Sequence, residues 1–124
     1  MDITPLIPKD TQIVHAYGNG GFTISHTRYE GSVLLLSHSV VCLDAAHITV
    51  LSALDVEALK SHTHHFELLL IGTGEKQTTL PDPLKELLSS RTISYDVMNS
   101  GAACRTYNVL VSEGRQVAAL LIAV

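Results

Sequence analysis

The sequence predicts an α/β (α+β) fold in three layers, β/β/α, with an N-terminal β meander packed on a mixed sheet whose C-terminal half runs βαβαβ. Three observations predict it. Residues 11–43 alternate or run apolar in short pieces separated by glycine and asparagine, as hairpin strands do. From residue 52 onward, helical spacing takes turns with unbroken apolar runs, which is how buried parallel strands joined by helices read. No linker, repeat or low-complexity stretch divides the 124 residues, a length that makes one domain with an ordinary core, residues 1–124.

The elements follow in order. Residues 1–10 hold Pro5 and Pro8 and read as an extended arm, because proline lacks the amide that a central strand needs. Thr11 to Tyr17 alternates, Gly18-Asn19-Gly20-Gly21 signals a reversal, and Phe22 to His26 returns. After Gly31 come two short apolar runs, Val33 to Leu36 and Val40 to Leu43, around Ser37-His38-Ser39. Ser52-Ala53-Leu54-Asp55 resembles a capping box, and Ala53, Val56 and Leu59 have helical spacing, so a helix is placed over 53–61.

Phe66 to Ile71 is a continuous buried strand. Asp82-Pro83 starts a second helix, with Leu84, Leu87 and Leu88 as its core face. Ile93, Tyr95 and Val97 alternate as the next strand. Asn99 or Ser100 caps a last helix, whose apolar stripe is Ala103, Tyr107 and Leu110 and whose polar stripe is Arg105, Asn108 and Ser112. Gly114 stops it, and Val117 to Val124 closes the chain as a chargeless strand. Right-handed crossovers are expected to put both helices of the βαβαβ half on one face and the meander on the other.

Composition excludes several classes. The net charge of −4 leaves no electrostatic footprint for nucleic acid or an anionic membrane. Only 16% of residues are charged, against the usual quarter, which points to a partly covered surface and to a homo-oligomer. The longest apolar runs are strand length, so no membrane span is expected. The N-terminus has neither the basic start of a signal peptide nor the arginine-rich character of a mitochondrial presequence, and a cytoplasmic location is expected. Cys42 and Cys104 make no disulfide framework, and Cys42, within an apolar run, reads as an inert core thiol.

Sites in open α/β sheets form at the C-terminal ends of parallel strands. Two loops qualify, Gly72-Thr73-Gly74 and Met98-Asn99-Ser100-Gly101. If their strands are neighbours, the glycines, Thr73, Asn99, Ser100 and the first helical amides converge on a place for a small anion. The alternative is that the glycines only make tight turns and Ser100 only caps. Cys104 lies early in the helix beside Arg105, which favours a thiolate nucleophile, yet no adjacent base supports it; otherwise it is a small side chain in a tight helix–sheet contact. Arg105 with Asn108 either grips a carboxylate or amide or bonds to loop carbonyls and pins the helix to the 72–80 loop. Glu113 and Arg115 flank the stopping glycine and are expected to pair across it. His62, His64 and His65 cluster, but no motif at recognised spacing supplies the remaining ligands, so a solvated helix end and no metal are expected. No cofactor motif is present.

Gly-Ala-Ala-Cys-Arg-Thr-Tyr-Asn at 101–108, Glu113-Gly114-Arg115 and the closing apolar strand resemble the signature of a small-domain family. The family is uncharacterised and includes the mitochondrial respiratory complex I assembly factor three and the adipogenesis-associated domain protein. Leu-Leu-Leu-Ile-Gly-Thr-Gly at 68–74 and Leu80-Pro81 fit the same pattern in the same order. The chain departs from it mildly at Asn99-Ser100, where Asp-Thr is expected: capping survives, an acid's role does not. The resemblance implies a fold more than an activity, and its assembly-factor branch implies an interaction or assembly module with protein partners. A small-anion sensor at residues 72–74 and 100–105 and a thiol-dependent enzyme using Cys104 are the alternatives.

Overall fold

A computed structural model describes residues 10–124, so the expected N-terminal arm lies almost wholly outside the described residues. The chain opens with an antiparallel three-stranded sheet of β1 (Val14–Gly18), β2 (Gly21–Ile24) and β3 (Thr27–Glu30), in that spatial order. Asn19 and Gly20 turn it with φ of 53° and 81°, as the sequence predicts. The second turn is made by Ser25 and His26 at φ 49° and 72°, without the glycine or asparagine that usually signals a tight hairpin, and so β3 escapes the sequence.

The next two strands, β4 (Val33–Leu35) and β5 (Val40–Cys42), leave the meander. They pair into a five-stranded mixed sheet of order β5-β4-β8-β6-β7, with β6 (Leu68–Gly72), β7 (Tyr95–Met98) and β8 (Val117–Leu121). The reason is burial: all three residues of β4 are buried, which suits an interior strand and not a half-wet hairpin. β5 is the edge, and Cys42 is exposed there, which corrects the expectation of a core thiol.

Three helices cover the sheet: α1 (Ala53–Ser61), α2 (Asp82–Ser90) and α3 (Ser100–Ser112). In α1 the Ser52–Asp55 capping box forms, and the buried Asp55 carboxylate also accepts from the amides of Asp44 and Ala45, tying the β5–α1 loop down. α2 has proline in its first turn and buries Leu84, Leu87 and Leu88, each stabilising by about 1.5–3 kcal/mol.

α2 and α3 lie on opposite faces, not on one. Strand order explains it: β6–α2–β7 steps one strand outward, whereas β7–α3–β8 steps back past β6. Right-handed crossovers running in opposite directions deposit their helices on opposite faces. One core therefore joins α1 and α2 to Leu34, Leu69, Ile71 and Leu120. The other joins α3 and the small sheet, through Phe22, Ile24, Ala103 and Tyr107, to Leu35, Leu70 and Ala119.

Candidate functional site: the start of the last helix

β6 and β7 pair in parallel with Gly72 opposite Met98, so the 72–74 and 98–101 turns lie side by side. Their polar groups bond to one another. Thr73 N–H donates to Met98 O at 2.9 Å, and Ser100 N–H to Gly74 O at 2.8 Å. The Ser100 hydroxyl, fully buried, accepts from Gly74 N–H at 2.9 Å and donates to Ile122 O at 2.6 Å. It stitches three strand ends together, and the cap is made by Asn99, whose Oδ1 accepts from Ala102 N–H at 2.8 Å. The Thr73 hydroxyl donates to Lys76 O at 2.8 Å and accepts from Thr78 N–H at 3.0 Å.

The glycines fit this close packing. A Cβ on Gly72 would stand 2.8 Å from Ser100 Cα, and one on Gly101 2.9 Å from the Tyr17 hydroxyl. A shallow cavity of about 320 Å³ opens beside the first turn, lined by Thr73, Gly74, Lys76 and Ile122 among others; residues 99–108 do not line it.

Cys104 is buried against the sheet. Burial pushes its thiol up to about 12, outweighing the opposing pull of the Arg105 charge. This reverses the expected lowering: at neutral pH the sulfur stays protonated.

Arg105 and Asn108 of the α3 polar stripe bond to β1 of the small sheet, which corrects the expectation that they pin the helix to the 72–80 loop. Asn108 Oδ1 accepts from Val14 N–H at 3.0 Å, and its Nδ2 donates to Val14 O at 2.7 Å. One amide thus mimics a neighbouring strand and fastens β1 to the helix. Arg105 Nη1 donates to the Tyr17 hydroxyl at 2.5 Å, across 88 positions of sequence. Tyr17, whose ring lies over Gly101, is the residue that sequence reasoning missed; no local pattern links it to the helix. One turn beyond Arg105, Val109 is 57% exposed. Arg115 pairs with Glu67 at 3.0 Å and not with Glu113, since the turn at Gly114 carries it toward β6.

Residues 14–122 match the family described as "Protein of unknown function (DUF498/DUF598)". The chain belongs to that family. The human NADH dehydrogenase [ubiquinone] 1 alpha subcomplex assembly factor 3 is 28% identical over 109 residues, covering 88% of this chain and 59% of that protein. The chain therefore spans less than two thirds of that relative's length. An uncharacterized protein of Rhodobacter capsulatus is 31% identical over 109 residues, covering 88% of this chain and 82% of its own. A crystal structure of an outer membrane protein from Bartonella henselae is 38% identical with a TM-score of 0.82, covering 94% of this chain and 98% of that one. The two-sheet, three-helix architecture is thus shared. Among the described residues, no helix is long and apolar enough to cross a membrane.

Proposed function

We propose that this domain is a non-catalytic interaction module of assembly-factor type, and that it docks a protein partner on the face formed by α3 and β1. One observation carries the proposal. Tyr17 and Arg105 hold each other in place over Gly101 while both remain reachable, with Val109 bare beside them. Tyrosine and arginine are the side chains that most often dominate interface energy, and fixing them beforehand lowers the entropy lost on binding. The partner offers a carboxylate to Arg105 and an apolar side chain to Val109. The assembly factor among the relatives supports the class of role.

The test is co-purification of cross-linked partners with the chain and with an Arg105→Glu/Val109→Asp variant. The expected result is loss of the partner with an unchanged melting temperature; retention of the partner by the variant defeats the proposal. A homo-oligomer belongs to the same reading, and light scattering that gives a monomer removes it. Two free thiols, one of them exposed, support a reducing, cytoplasmic location. Fractionation that recovers the chain with membranes overturns that location.

The cavity beside Thr73 and Gly74 favours a second reading, a small-anion sensor. There a carboxylate or phosphate would meet the Lys76 side chain, with Glu75 in the same lining and the Thr73 and Gly74 amides already bonded within the chain. Thermal-shift screening against phosphate and simple carboxylates, with no anion raising the melting temperature, eliminates it.

A further inference from the structure

At the other end of the sheet, where β6 and β8 begin, a cavity of about 490 Å³ is lined by His38, His62, His64 and His65 together with Leu36 and Gln116. Among the described residues, no group of three or more His, Cys, Asp or Glu is placed so that it could hold a metal ion, so a side chain would have to turn to complete one. Two of the imidazoles are nevertheless in edge-to-face contact. His62 and His65, joined by the 3-10 turn Thr63–His65, have ring centres 5.4 Å apart with planes at 62°. Imidazoles sharing a tetrahedral ion at bonds of about 2 Å hold their ring centres roughly 5 Å apart.

The surroundings favour a cation. His62 Nδ1 lies 2.8 Å from Ala58 O, so in the neutral ring the proton sits on Nδ1 and the Nε2 lone pair is left for a ligand. A backbone carbonyl fixing the tautomer in this way is the usual support behind a metal-binding histidine. His62 also ends α1, where the last carbonyls and the helix dipole present negative potential. No lysine or arginine lines the cavity. Lys60 stands in the last turn of α1, two residues before His62; Asp10 lies 3.4 Å from His38, and the Arg115–Glu67 pair lies beyond Gln116. His38 and its acid are both largely exposed, and a surface pair of this kind is worth little, so His38 can turn away from it.

We propose that His62 and His65 are the core of a binding site for a borderline divalent transition-metal ion of the zinc or nickel class. Water and one rotated imidazole, from His38 or His64, complete the coordination. The site lies apart from the α3–β1 face and does not depend on it.

The experiment is calorimetric titration of the tag-free full chain with zinc chloride, and separately nickel chloride, at about pH 7.5. One ion binds per chain. A His62→Gln/His65→Gln variant loses about 10-fold or more in affinity. A His15→Gln/His26→Gln variant, which removes the stacked pair on the small sheet, leaves it unchanged. In the unaltered protein, zinc shifts the imidazole resonances of His62 and His65, a readout independent of any variant's folding. Absence of binding, or binding that leaves those two resonances still, overturns the proposal.

Discussion

The two ends of the five-stranded sheet both gather polar side chains and are finished in opposite ways. At the C-terminal ends of β6 and β7, Thr73, Asn99 and Ser100 bond to neighbouring chain, and glycines let the backbones touch. At the starting ends of β6 and β8, four imidazoles line an open cavity. A concentration of polar residues therefore marks a site only when bonding capacity is left over after folding. The closed end is a clasp that the fold requires. The open end is surface that the fold tolerates.

The sharpest way to break this contrast is at Gly72. A side chain there meets the Ser100 backbone and not a flexible tip, so Gly72→Val is expected to lose about 3 kcal/mol or more in urea unfolding. A mild loss would mean that the closed end has slack. Ser100→Ala comes next: it strands the Gly74 N–H and the Ile122 carbonyl in a buried place and should cost about 2–3 kcal/mol.

Cys104 gives a smaller effect at neutral pH and a distinctive one in alkali. Below its unfolded value of 9.0 the thiol is protonated in both states, and its contribution is fully present. Above that the unfolded chain releases the proton while the folded chain, with a value of about 12, keeps it, so stability falls by about 1.4 kcal/mol per pH unit. Cys104→Ala should flatten that part of the slope of unfolding free energy against pH, while the buried Tyr107 phenol, also pushed up, adds its own fall at higher pH. In alkylation of the native protein, Cys42 should react and Cys104 should not. The smallest change is expected at the open end: without metal, His62→Gln/His65→Gln should move stability by no more than about 0.5 kcal/mol. A large loss there would show that the histidines are structural.

Much of the architecture was legible in the residues. The capping box at Ser52, the Asp82-Pro83 start and the unbroken apolar runs encode local physics, and local physics is what spacing reports. The face chosen by α3 was not legible, because it follows from β8 inserting between β4 and β6, a pairing between distant segments. β3 was hidden by a turn built without glycine. The adjacency of the 72–74 and 98–101 turns was anticipated from parallel pairing. The close relation of Tyr17 to Arg105 was not, since 88 residues separate them. Between the two readings of Cys104, thiolate or packed side chain, burial decides for the second, because sequence shows a neighbouring charge but not the depth of burial that outweighs it.

The position of β8 also governs when the molecule can exist. Strands β4 and β6 share no ladder with each other; β8 is hydrogen-bonded to both. During synthesis, the 116 residues before β8 thus emerge with the facing edges of β4 and β6 still without their partner. The sheet becomes continuous only after residue 121 leaves the ribosome, and until then whatever guards nascent chains must guard those edges.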